Sequence, residues 1–174
     1  ARNPGENYAL SPDGATLYVA GNDGHLRVYD TATGSLLQDW GIGGDLGGIT
    51  VSRDGRYAVI TEEVPVSTQQ SQNWTSNVTV AAIYMVDLRT GYAQSFEYTG
   101  TGSSYTFGDV AYTTDGTVLV SQNILPGWSG WAPMFTLDLS TGTFTPHGSY
   151  YSGLGSVPSL TQSVLPGDAL VGQL

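Results

Sequence analysis

Only two histidines, His25 and His147, stand in this sequence of 174 residues, and no cysteine accompanies them. A thiolate zinc centre, a thiol nucleophile and a disulfide framework are therefore excluded. The two histidines lie in different stretches, and neither shares a motif with a serine and an acid, so no nucleophilic triad assembles. His25 shares one side of a strand-like run with Arg27 and Tyr29, an outward row, while Leu26 and Val28 take the other. No glycine-rich loop opens a helix, which removes phosphate cradling; the glycines of Gly41–Gly48 precede a strand and read as a tight link. No catalytic residue is assigned.

Carboxylates are the next candidates. Glu6, Asp45 and Asp109 each precede an apolar run that ends in Asp-Gly. Where such runs lie side by side, the three side chains converge, and hard oxygen ligands of that kind suit Ca²⁺ or Mg²⁺. No Asp-x-Asp-x-Asp-Gly loop occurs, and no other cofactor is expected.

Aromatic rings form the second set. Trp74, Trp128 and Trp131 are three of the four tryptophans, and they fall within Glu63–Val78 and Asn123–Ala132. Tyr98 and Tyr105 fall within Tyr98–Phe107, and Tyr150 and Tyr151 within Gly148–Val157. Interleaved with Gly, Ser, Thr, Asn and Gln, such rings stack on sugars or anchor a protein interface, because they bury area at small entropic cost. The other reading open for them is that long loops build small cores of their own. Trp40 lies in a strand-like run and reads as packing between units.

Charge narrows the partners. The formal net charge is −10, with five arginines (Arg2, Arg27, Arg53, Arg56, Arg89) and no lysine. Nucleic acid draws its affinity from neutralised phosphates, and an anionic membrane surface attracts basic segments, so both are excluded. No stretch is long and apolar enough to span a bilayer, and membrane insertion is not expected. Sequons at Asn73 and Asn77 matter only in a eukaryotic secretory protein.

The elements that position these residues come from a repeat. An apolar run ending in Asp-Gly occurs at Tyr8–Gly14, Ile49–Gly55 and Val110–Gly116, with a degenerate copy at Leu160–Asp168. A strand ending in Asp-x-x-Thr-Gly occurs at Val28–Gly34, Met85–Gly91 and Thr136–Gly142. Asp13, Asp54 and Asp115 are 41 and then 61 residues apart, the first spacing matching a four-stranded propeller blade of about 40–45 residues. Both signatures are turns, with Asp accepting local amides and Gly taking the left-handed conformation. In the first unit the strands fall near 7–11, 16–21, 25–30 and 35–40.

The spacing predicts an all-β, incomplete propeller of about three and a half blades: about 7–40, 47–98 and 108–148, with a fourth opening at about 157–174. From the Asp of the first signature to that of the second is 17, 33 and 23 residues in the three units. The additions therefore lie between the second and third strands, on the same face as the links between blades. That long-loop face is the expected binding surface, since variable loops on a rigid scaffold carry recognition.

Leu10-Ser11-Pro12-Asp13-Gly14, Leu17-Tyr18-Val19-Ala20-Gly21-Asn22 and Val28-Tyr29-Asp30-Thr31-Ala32-Thr33-Gly34 resemble the YVTN-type bacterial propeller repeat. The second and third units keep the ends of that pattern and lose its centre. The resemblance implies an exported protein (periplasmic, cell-surface or extracellular), in a family of surface proteins, lactonase-like enzymes and periplasmic dehydrogenase subunits. It also implies a divalent ion at the channel mouth in the lactonase-like members. Two functions follow as expectations. The leading one is a non-enzymatic binding or scaffold module gripping protein or glycan. The alternative is a propeller enzyme with an acidic, metal-holding mouth. An open array also leaves two sheet flanks for the rest of the propeller, or a second chain, to cover.

Overall fold

The computed structural model describes residues 7–62, 67–70, 77–101, 105–113, 115–124, 130–152, 160–161 and 171–172. Fifteen strands appear in the described residues. The first sheet is an antiparallel meander of β1 (Tyr8–Leu10), β2 (Thr16–Ala20), β3 (His25–Asp30) and β4 (Leu36–Gly41). The second holds β5 (Leu46–Val51), β6 (Tyr57–Glu62), β7 (Ser67–Gln70), β8 (Asn77–Asp87) and β9 (Ala93–Thr101). The third repeats the meander with β10 (Tyr105–Tyr112), β11 (Val118–Ile124), β12 (Gly130–Asp138) and β13 (Thr143–Ser152). Finally, β14 (Leu160–Thr161) pairs with β15 (Val171–Gly172). The innermost strands β1, β5, β10 and β14 follow one another side by side. The chain is all-β, an incomplete β-propeller.

The turns fix the meander. Asp13, Asp54 and Asp115 each accept the amide two residues on, from Ala15 (3.0 Å), Arg56 (3.0 Å) and Thr117 (3.1 Å). In the second turn Asp87 and Asp138 likewise accept the amides of Arg89 (3.0 Å) and Ser140 (2.8 Å), and Asp30 accepts that of Thr33, three residues on (2.7 Å). In each turn the glycine alone takes positive φ, 71° at Gly14 and 69° at Gly34, where a Cβ would be strained.

Two apolar layers hold the sheets together. Tyr18, Leu26 and Val28 on the back of sheet one meet Val51, Ala58, Ile60 and Val86 on the front of sheet two. Trp40 lies against this layer, and its ring occupies the space beside Gly91 in the second turn of sheet two. Val59, Ile83 and Phe96 on the back of sheet two meet Phe107, Val118, Val120 and Leu137 of sheet three.

The strands run further than the sequence suggests. The stretches Tyr98–Phe107 and Gly148–Val157 read as links, yet β9 continues to Thr101, β10 begins at Tyr105 and β13 continues to Ser152. Within the insertion Glu63–Val78, β7 takes over from β6 along β8, with Ser67 opposite Val80 and Gln70 opposite Asn77. The insertions thus contribute ladder, because Thr, Val, Tyr and Trp suit a pleated surface once a partner strand is present.

Candidate functional site

The first-to-second and third-to-fourth strand turns share one end of the array, and the long connections and links share the other, as an alternating meander requires. At that second end the innermost strands are packed backbone to backbone. Thr61, fully buried, donates its hydroxyl to the Gly108 carbonyl of the next sheet at 2.7 Å and lies 3.4 Å from that of Gly48. At the corresponding place in sheet three, the Ser121 hydroxyl accepts the Asp109 amide at 2.9 Å.

Beside Thr61 stands a residue that the sequence reading passed over. Glu62 is 4% exposed, accepts the Gly44 amide at 2.8 Å through Oε1, and lies 3.4 Å from the Tyr84 hydroxyl through Oε2. Burial pushes its carboxyl above the usual range; the Gly44 amide and Tyr84 oppose that shift, and the Asp45 charge reinforces it. The link Gly41–Asp45 is gripped from the other side too, since the Gly24 carbonyl accepts the Ile42 amide at 2.8 Å. Glu62 therefore locks the link between sheets one and two. The signal for it in the sequence is a carboxylate at the end of an apolar run, Tyr57–Thr61.

Of the metal-ligand candidates, Glu6 lies outside the described residues. Asp45 belongs to the link before β5, whereas Asp109 lies inside β10 with its carboxylate over Gly48 of β5. The two therefore occupy different places in the repeat. Among the described residues, no group of three or more His, Cys, Asp or Glu side chains is arranged to hold a metal ion.

The aromatic candidates divide. Trp74 and Trp128 lie outside the described residues. Tyr98 is a strand residue of β9, and its ring packs 4.8 Å from Phe135, 5.2 Å from Phe144 and 6.0 Å from Phe107. That corrects its reading as a link residue; partial burial in this cluster also raises its hydroxyl pKa. Tyr105, Trp131, Tyr150 and Tyr151 are likewise strand residues, in β10, β12 and β13.

Their strands form an upper tier on the third sheet. Pairing between β11 and β12 stops at Ser121 opposite Met134. Beyond that point β10 and β11 continue together to Tyr105 opposite Ile124, and β12 and β13 to Gly130 opposite Ser152. Pro133, next along β12, brings no N–H to a ladder. The sheet thus divides into two ribbons. On one, Trp131 stands opposite Tyr151 and Tyr150 opposite Ala132; the other carries Tyr105. In the second sheet the matching tier is β7, β8 and β9, with Thr79 between Thr68 and Gly100.

His25 is placed by a hydrogen bond, its Nδ1 2.7 Å from Asp39 Oδ1. Arg27 pairs with Asp23 through Nη2 and approaches Asp39 at 3.7 Å. His147 sits exposed at the bulge of β13, between the partners of Met134 and Phe135.

No family model matches this sequence, and no curated protein matches it. Among solved structures, the chain is similar to hydrazine synthase of Kuenenia stuttgartiensis, with a TM-score of 0.59, 20% identity, and coverage of 83% of this chain and 36% of that one. It also matches oligogalacturonate lyase in complex with manganese, with a TM-score of 0.40, 12% identity and coverage of 89% and 54%. A third match is the β-propeller domain of Cps50 (Swd1) of Myceliophteria thermophila, with a TM-score of 0.45, 14% identity and coverage of 93% and 62%. The chain spans less than two thirds of the length of each. These neighbours are β-propeller proteins, and the likeness is one of fold.

Proposed function

We propose that the chain is a non-enzymatic binding or scaffold module of an exported, YVTN-type propeller protein, gripping a protein or glycan with the upper tier of its second and third sheets. The observation that carries this reading is the divided third sheet. Its ribbon places Trp131 opposite Tyr151 and next to the Tyr150 position, above the four-stranded body. Residues far apart in sequence thereby come to adjacent ladder positions, and Trp and Tyr are the types that concentrate binding energy. Among the described residues the turn end is built from six short Asp-bearing turns.

The test uses the whole chain on an array of polysaccharides and glycoproteins. Trp128→Ala with Trp131→Ala should abolish capture while the urea transition stays cooperative, and unchanged capture would sink the reading. A second reading, an enzyme with Ca²⁺ or Mg²⁺ at the mouth, draws on the buried Glu62 beside Asp45. That reading requires Ca²⁺ or Mg²⁺ to raise the melting temperature of the wild type and not of Asp45→Asn.

A further inference from the structure

The aromatic cluster around Tyr98 fixes how the second and third sheets face each other. The Tyr98 ring, on the back of sheet two, packs 4.8 Å from Phe135 and 6.0 Å from Phe107 on the facing side of sheet three. Below this level the junction is an apolar cluster, with Val59, Ile83 and Phe96 against Val118, Val120 and Leu137. Above it the strands of both sheets run on, β8 starting at Asn77, β9 reaching Thr101, β10 starting at Tyr105 and β12 at Gly130. The upper tiers thus rise as two walls from a floor at Tyr98.

Pairing assigns the positions of each wall. In sheet two, Ala81 stands opposite Tyr98, Thr79 stands between Thr68 and Gly100, and Asn77 stands opposite Gln70. Alternation along β8 puts residues 77, 79 and 81 on the face of Ile83, the one turned to sheet three. This wall is therefore made of the Thr68, Gln70, Asn77, Thr79 and Gly100 positions. In sheet three, alternation puts residues 131 and 133 on the face of Phe135, and residue 105 on that of Phe107. Tyr151 joins them opposite Trp131, so this wall carries the Tyr105, Trp131, Pro133 and Tyr151 positions. Two steps of two residues along β8 or β12 raise each wall about 14 Å above the floor.

The two walls differ in chemistry, unlike the junction beneath them. A dry seal of Gln70 and Asn77 against aromatic residues would strand amide groups without partners, which protein interiors avoid. This level suits a polar occupant instead. One wall supplies rings of the kind that stack on the apolar face of a pyranose, and the other supplies amide and hydroxyl residues, the complement of sugar hydroxyls. No position of either wall is charged, and a net charge of −10 repels polyanions. We propose that the cleft between the two upper tiers binds a neutral oligosaccharide. This rests on the upper-tier surface proposed above and names its ligand as an uncharged glycan rather than a protein.

Affinity electrophoresis of the whole chain through gels holding a soluble β-glucan, a galactomannan, an arabinoxylan or amylose tests this, with polygalacturonate as the anionic control. At least one neutral polysaccharide is expected to retard the wild type, and polygalacturonate is not. Gln70→Leu with Thr79→Val strips polar groups from one wall and keeps every aromatic residue; it should weaken retardation at least tenfold with the urea transition unchanged. Should that variant disturb the transition, Gln70→Ala, in the edge strand β7, reads the same wall. Retardation by none of the neutral polysaccharides, retardation by polygalacturonate, or retardation that survives the wall substitutions would each overturn the proposal. Binding lost in Trp128→Ala with Trp131→Ala but kept in Gln70→Leu with Thr79→Val, or capture of a glycan-free protein alone, would overturn the cleft and leave the upper-tier surface standing.

Discussion

Gly48→Ala is expected to destabilise the protein through the closest approach of its sheets. A Cβ at position 48 would stand 2.7 Å from the Asp109 Cα and 2.9 Å from the Gly108 carbonyl oxygen. Carbon atoms rest at about 3.5–4.0 Å, so β5 and β10 would have to separate by about 1 Å. Both obstacles are main chain, and no side chain can swing aside. The Thr61 hydroxyl resists the movement as well, since it is bonded at 2.7 Å to the carbonyl that would have to retreat. Overpacking of this kind costs about 1–3 kcal/mol. With a urea slope of about 2 kcal/mol/M, the midpoint falls by about 0.5–1.5 M. Gly41→Ala is the control, because its φ is not positive and no atom lies within 4 Å of the added Cβ. That change is expected to be neutral or slightly stabilising. A Gly48→Ala midpoint within about 0.2 M of wild type would refute the packing of innermost strands described here.

Three further outcomes follow. Asp23 and Asp115 are held down to about 2, Asp23 chiefly by the Arg27 side chain and Asp115 chiefly by the Thr113 hydroxyl. A carboxyl held below its unfolded value contributes stability above the ordinary carboxylate range and loses it as pH falls, so urea midpoints should decline from about pH 5 toward about pH 2. Glu62 has the opposite sign: burial raises its carboxyl, so its cost is present at neutral pH and fades as the group takes a proton. The stability of wild type relative to Glu62→Gln should therefore rise as pH falls from about 7 to about 4, and a constant difference would remove Glu62 from the account. Phe107→Ala, at a fully buried site between Tyr98 and Phe144, should cost about 3–5 kcal/mol by denaturation.

The fold class was legible because its signal is local. Each Asp-bearing turn carries its own acceptor and its own left-handed glycine, so Asp13 or Asp138 specifies a reversal without reference to the rest of the chain. Strand lengths were not legible, because a stretch such as Tyr98-Thr99-Gly100-Thr101 reads as link until β8 is laid beside it. Tyr98 was misplaced for that reason, its neighbours Phe135 and Phe144 being about forty residues away in another sheet. Glu62 was missed because it ends an apolar run immediately before an insertion, where a carboxylate reads as solvated; only the return of Gly44 across it reveals the burial. Of the site, the register between Trp131 and Tyr151 needed the structure, whereas the concentration of aromatics in those segments did not. Glu6, Trp74 and Trp128 lie outside the described residues.

The binding surface is tested most directly by hydrogen exchange on the whole chain, free and bound to a captured polysaccharide or glycoprotein. Slowed exchange is expected in residues 105–106, 123–124, 130–133 and 149–152, the two ribbons of the third sheet. Protection falling instead on the Asp-bearing turns, or on Tyr8 and Leu10 of the first sheet, would contradict the assignment of recognition to the upper tier.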